Sequence, residues 1–265
     1  PNGDYGIRLI DLDNDGYMDL IQGRQSTGEK KAWLNNRTGW NLSLSFAPPE
    51  YFIDNSNPNQ DRAVRIADLN NDGFADLIQG WRGLKKAWLY NTSGWKEDSL
   101  TWAPPINFIS DDGLDSFDRG VQLIDFNGDG RVDILKAAEP QSGDTDGTRK
   151  AYLNTGSGWK DVSSLWSAPA SFVKADANDY GLRLADVNGD GLIDLIQGYN
   201  FGTETKNAWL NNGSGWIRSS VWTPPIVFTS TSKIDEGVRL VDLNGDGLVD
   251  MLQDFKNSST TERNA

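Results

Sequence analysis

The stretch Asp11–Leu20, DLDNDGYMDL, places four carboxylates within nine residues, at Asp11, Asp13, Asp15 and Asp19, with Gly16 between the third and the fourth. Like charges at this spacing repel one another, so an ordered loop of this kind needs a counter-charge. The chain writes it five times. DLNNDGFADL begins at Asp68, DFNGDGRVDI at Asp125, DVNGDGLIDL at Asp186 and DLNGDGLVDM at Asp242, at separations of 57, 57, 61 and 56 residues. Self-similarity at such a period is the mark of a repeat architecture, and it decides how everything else is read.

Outward from the loop, each unit carries the same apolar segments. Before it stand GIRLID, AVRIAD, GVQLID, GLRLAD and GVRLVD; after it come YMDLIQG, FADLIQG, RVDILKA, LIDLIQG and LVDMLQD. A third segment reads KKAWLNN, KKAWLYN, RKAYLNT or KNAWLNN and closes in a turn such as RTGW, TSGW or GSGW, and a fourth ends in FAPPEYF, WAPPINF, WSAPASF or WTPPIVF. Short apolar runs bounded by Gly, Asn and Pro are strands, and no helical period is sustained. The expected fold is all-β: repeated four-stranded antiparallel blades, β-propeller-like, with a calcium-binding loop in each. The array spans 1–265 as units of about 1–57, 58–114, 115–175, 176–231 and an incomplete 232–265. The final TTERNA aligns with ETKNA (Glu204–Ala208), so the last unit is expected to lack its third and fourth strands, and the chain reads as part of a longer array.

In every loop, positions 1, 3 and 5 carry oxygen-bearing side chains: Asp11, Asp13, Asp15; Asp68, Asn70, Asp72; Asp125, Asn127, Asp129; Asp186, Asn188, Asp190; and Asp242, Asn244, Asp246. Position 6 is Gly throughout, and position 4 is Asn or Gly, residues that accept a left-handed backbone. Position 7 varies (Tyr17, Phe74, Arg131, Leu192, Leu248), as expected where only its carbonyl serves as a ligand, and position 9 is Asp19, Asp76, Asp133, Asp194 or Asp250. An all-oxygen set around a glycine turn suits Ca²⁺, about five ions at one per repeat, with Mg²⁺ second because it demands a tighter octahedron. An EF-hand is excluded, since its acidic ligand falls at position 12 and its flanks are helices. The loops hold 16 of the acidic groups, so five Ca²⁺ ions would bring a net charge of −13 to about −3.

Composition narrows the function. The acidic balance argues against nucleic acid as a partner, and no apolar run is long enough for a membrane-spanning helix. With no Cys and no His, disulfides, thiolate chemistry, His-ligated zinc and imidazole-based triads are all excluded. Eleven Trp fall mostly on the repeat grid: Trp33, Trp88 and Trp209 (with Tyr152); Trp40, Trp95, Trp159 and Trp216; and Trp102, Trp166 and Trp222 (with Phe46). Periodic aromatics of this kind are expected to pack unit against unit. Trp81 falls outside the grid and is the candidate ligand contact. Sequons at Asn36, Asn41, Asn91, Asn212 and Asn257 are candidate glycosylation sites.

The DxDxDGxxDL loops, the LIQG that follows them and LNNGSGW (Leu210–Trp216) resemble the FG-GAP and VCBS repeats of integrin-like β-propellers over essentially the whole chain. The GAP triplet itself is absent. The resemblance implies four-stranded blades, Ca²⁺ between the first two strands and an extracellular or cell-surface setting. The function expected on these grounds is a non-enzymatic, calcium-stabilised repeat protein with an adhesion or structural role, its partners further repeats or copies of the same chain, glycans or cell-surface proteins. A β-propeller lectin is the alternative, and a glycosidase or accessory domain of an enzyme the remaining one.

Overall fold

The computed structural model describes residues 4–54, 60–109, 118–140, 146–175, 178–231, 234–256 and 261–264. Five antiparallel meanders follow one another. The first comprises β1 (Ile7–Ile10), β2 (Asp19–Arg24), β3 (Glu29–Asn35) and β4 (Trp40–Leu42), then a two-residue pair, β5 (Ile53–Asp54) and β6 (Gln60–Asp61). The second runs β7 (Val64–Ala67), β8 (Asp76–Trp81), β9 (Leu84–Asn91) and β10 (Gly94–Glu97), followed by the single-turn helix α1 (Ser99–Trp102). The third runs β11 (Val121–Ile124), β12 (Asp133–Ala137), β13 (Arg149–Asn154) and β14 (Trp159–Asp161), followed by α2 (Ser163–Trp166). The fourth comprises β15 (Leu182–Ala185), β16 (Asp194–Asn200), β17 (Glu204–Asn211) and β18 (Trp216–Ser219), with the pair β19 (Thr229–Ser230) and β20 (Ile234–Asp235). The fifth holds β21 (Val238–Val241), β22 (Asp250–Lys256) and β23 (Thr261–Asn264).

The core lies between the units, in four apolar clusters, one at each boundary. The second strand of each meander supplies both neighbours, because successive strand side chains point to opposite faces. In β8, Leu77 joins the cluster shared with the first unit and Ile78 the cluster shared with the third. In β12, Ile134 and Leu135 divide in the same way, as do Leu195 and Ile196 in β16. All six are fully buried. That two-sided burial is why LIQG and its variants read as continuous apolar runs rather than as an alternation.

Two expectations are corrected. The APP segments are not fourth strands: the fourth strand begins at or beside the turn Trp (Trp40, Trp95, Trp159, Trp216), and the chain then makes one helical turn in the first three units, or a plain turn in the fourth, and returns as an irregular strap. The Pro residues remove ladder donors, and the strap instead docks on the second strand. Phe52 donates its backbone N–H to the Gly23 carbonyl (2.8 Å), Phe108 to Gly80 (2.7 Å), Phe172 to Ala137 (2.8 Å) and Phe228 to Gly198 (2.9 Å). The LIQG glycine is where the strap passes, since a Cβ built on Gly80 would stand 2.7 Å from the Ile106 oxygen. A basic residue of the third strand holds the strap from the other side: Lys85 Nζ donates to the Pro105 carbonyl at 2.6 Å and Lys206 Nζ to Pro225 at 2.7 Å. The second correction concerns the last unit, whose third strand is present: β23 pairs with β22 from Gln253↔Asn264 to Lys256↔Thr261.

Candidate metal centres

Each acidic loop joins the first two strands of its meander and is folded by its own carboxylates. Asp11 accepts backbone N–H groups from Asp15 (3.2 Å) and Gly16 (2.9 Å), and Asp15 accepts the Tyr17 N–H (2.9 Å). The same bonds recur in the last loop, where Asp242 accepts from Asp246 (3.2 Å) and Gly247 (2.9 Å), and Asp246 accepts from Leu248 (2.8 Å). Position 6 turns left-handed in all five loops, from φ 83° at Gly130 to φ 89° at Gly73, and position 4 does so as Asn14 and Asn71, both at φ 60°. A Cβ at position 6 would be strained there.

The first loop brings oxygens of Asp11, Asp13 and Asp15 within 4.8 Å of one another. Asp13 is pushed above the usual carboxylate range by partial burial and by the charges of Asp19, Asp15 and Asp11. The other loops carry Asn at position 3, and its amide donates to the position 5 carboxylate, as from Asn188 to Asp190 (2.9 Å) and from Asn244 to Asp246 (3.0 Å).

Position 9 is set apart from this exposed rim. Asp19, Asp76, Asp133 and Asp194 are fully buried, and each accepts two backbone N–H groups from opposite directions. Asp76 takes those of Leu69 (2.9 Å) and Tyr90 (2.8 Å); Asp194 takes those of Val187 (3.1 Å) and Asn211 (2.7 Å). This carboxylate therefore ties the loop to the end of the third strand. Burial pushes Asp76 and Asp133 up to about 7, against two backbone hydrogen bonds each, with the loop carboxylates adding to the rise. Asp194 is raised for the same reason. A hard cation fits this donor set: it meets only oxygens, and its charge would offset what burial costs the position 9 carboxylate. Positions 1, 3, 5 and 9 would hold it with the carbonyl of position 7.

The position 7 side chain has a further task that spacing did not reveal. A Cβ built on Gly128 would meet Leu192 Cδ2 at 2.7 Å, and one on Gly189 would meet Leu248 Cδ2 at 2.6 Å. Each leucine thus rests on the position 4 glycine of the preceding loop. Where position 4 is Asn14 or Asn71, the next unit carries Phe74 or Arg131 instead.

The FG-GAP-like repeat model matches this chain over residues 11–78, 125–197 and 186–252, more than half of its length. The chain belongs to the FG-GAP-like repeat family. A relative from Plasmodium yoelii yoelii, a T-cell immunomodulatory protein homolog, is 34% identical over 220 residues, which is 72% of this chain and 29% of that protein. Among solved structures, an Agrocybe aegerita lectin that recognises non-reducing terminal N-acetylglucosamine is similar in fold, at TM-score 0.62 and 19% identity, over 93% of this chain and 60% of the lectin. The Photorhabdus luminescens Tc holotoxin pore is similar at TM-score 0.57 and 21% identity, over 97% of this chain and 11% of that one. The chain thus spans less than two thirds of each of these relatives.

In this FG-GAP-like array the periodic Trp residues link the units. The indole N–H of Trp95 donates to the Phe46 carbonyl (3.3 Å), that of Trp159 to Trp102 (3.2 Å) and that of Trp216 to Trp166 (3.2 Å). Trp102 and Trp166 are buried beneath, edge-on to their partners, whereas Trp40 in the first unit and Trp222 in the fourth stand exposed. A second link passed unnoticed in the sequence: Asn154 donates to the Leu69 carbonyl (2.8 Å) and Asn211 to that of Phe126 (2.7 Å), each across a unit boundary. The recurring LNN and LNT carry that signal. Trp81 ends β8 rather than standing in a loop; it is half-buried, with the Arg62 guanidinium 4.1 Å above its ring. Asn36, Asn41, Asn91 and Asn212 are exposed, and Asn36, Asn91 and Asn212 each cap the turn before a Trp with the side-chain carbonyl. Asn257 lies outside the described residues.

Proposed function

We propose that this chain is a non-enzymatic, calcium-clamped repeat module of an extracellular or cell-surface protein, with an adhesion or scaffold role. The observation that carries the reading is the buried position 9 carboxylate, which ties the oxygen-rich loop to the third strand in the first four units. A cation there would couple the loop to the blade and so clamp the array, unit by unit. Affinity is expected near the weak extracellular end, on the order of 10⁻⁴–10⁻³ M, with the first loop tightest because Asp13 adds a charge. A non-catalytic role is favoured because the recurring acids are engaged in the loops. Isothermal titration with Ca²⁺ tests the reading, with about five sites expected; an absence of saturable binding would remove it.

A second reading, carbohydrate binding, is favoured by the fold likeness to the Agrocybe aegerita lectin. A glycan array run in calcium separates the two, because a scaffold leaves it blank.

A further inference from the structure

The repeat chemistry changes at one boundary. Between the first and second units, Tyr90 occupies the place that Asn154 and Asn211 fill elsewhere, Phe46 stands where Trp102 and Trp166 are found, and Asp13 replaces the Asn of position 3. The three substitutions meet in space. Together with Phe74 and the hydroxyls of Thr92 and Ser93 they line an open cavity of about 450 Å³. Phe46 stacks on Tyr90 with centroids 5.0 Å apart, and Phe74 meets the same ring edge-on at 5.9 Å.

Two features of this cavity look outward. Tyr90 lines the cavity from a buried position, 4% exposed, where the later units place an Asn whose amide is satisfied across the boundary. The walls also carry one carboxylate and no basic side chain. With four Asp rather than three, this loop would keep about two negative charges after taking up one Ca²⁺, where its neighbours would keep about one. If Asp13 held a metal through one carboxylate oxygen, the other would be left for a second cation. Aromatic rings beside an excess negative charge are a recognition surface for an organic cation.

We infer that the cavity between the first two units binds an alkylammonium or quaternary ammonium group, seated on Phe46, Phe74 and Tyr90 and paired with Asp13. A neutral sugar is disfavoured as the occupant, since the Asn found at position 3 of the other loops would serve its hydroxyls equally well. The acceptors on the walls, Asp13 and the hydroxyls of Thr92 and Ser93, favour a primary ammonium that can donate to them, the lysine side chain of a partner protein; a quaternary headgroup is the other outcome the probes distinguish.

The test is an NMR titration of the full chain in saturating Ca²⁺, following the Trp95 indole N–H, which donates to the carbonyl of the wall residue Phe46 and whose ring packs edge-on against Tyr90. The probes are butylammonium, tetramethylammonium, the methylamide of Nα-acetyl-lysine, and neutral butanol and N-acetylglucosamine. Saturable shifts with the cations but not with the neutral probes are expected, and preference for the lysine derivative over tetramethylammonium, or the reverse, names the source. The variants restore what the other units carry, so each is a residue the fold already accommodates. Asp13→Asn should weaken cation binding about fivefold. Tyr90→Asn and Phe46→Trp, which leave the loop carboxylates untouched, should each weaken it about tenfold. Calcium binding measured on the same samples keeps failure of the metal reading distinct from failure of this one. No saturable shift with any cation, equal binding of butanol, binding of N-acetylglucosamine instead, or indifference to both Tyr90→Asn and Phe46→Trp would each overturn the inference.

Discussion

Stripped of metal with a chelator, this protein should gain stability on acidification from pH 8 to pH 6, the reverse of ordinary acid behaviour. Burial holds the Asp76 and Asp133 carboxyls at about 7 in the folded chain, far above the unfolded value near 4. Above pH 7 both are ionised in either state and the buried charge weighs against folding; as pH falls through 7 only the folded state takes up the proton. Integrating proton uptake over that window gives about 1.4 kcal/mol per group and about 3 kcal/mol for the pair. For a domain of this size that corresponds to a rise in Tm of roughly 6–12 °C. Asp194 shifts in the same direction and adds to the effect. The chain has no histidine to titrate in the same window. With saturating Ca²⁺ the slope should vanish or reverse, since protons then compete with the metal. Differential scanning calorimetry at four pH values, with and without chelator, measures it, and the double variant Asp76→Asn/Asp133→Asn should lose most of the slope. A chelated wild type whose Tm stays level or falls between pH 8 and pH 6 would show that these buried carboxyls do not set the acid response.

Three further outcomes follow from the packing. Asn211→Ala removes the donor to the buried Phe126 carbonyl and to Ile193, and should cost about 1–3 kcal/mol in urea unfolding. Leu77→Ala opens a cavity at the boundary of the first two units and should cost about 2–5 kcal/mol by the same assay, whereas a surface change such as Lys160→Ala should stay within about 0.5 kcal/mol. Trp216→Phe keeps the ring against Trp166 but deletes its hydrogen bond, and should cost about 1 kcal/mol, with the Tm shift read by calorimetry.

The repeat and its strands were legible because their signals are local. The left-handed Asn14 and Gly16, the alternation in β7 and the two-sided apolar run of β8 all follow from neighbours within a few residues. The straps were misread because WAPPINF has the aromatic and apolar content of a strand, while its partner, the Gly80 carbonyl, lies over twenty residues earlier and carries no side chain to announce it. The links between units were hidden for a related reason: Asn211 reaches a carbonyl 85 residues away, and a backbone acceptor leaves no trace in composition. Position 9 was legible as an acid, but its burial was not, because that depends on the third strand closing over it. The third strand of the last unit was missed because β23 has only four residues, and its pairing is supplied by β22.

If cations in the acidic loops hold the blades together, thermal unfolding of the full chain across a calcium titration will register it. Tm should climb with free Ca²⁺ through the range on the order of 10⁻⁴–10⁻³ M and return to its starting value on chelation. A Tm that does not move between excess chelator and several millimolar calcium would contradict it.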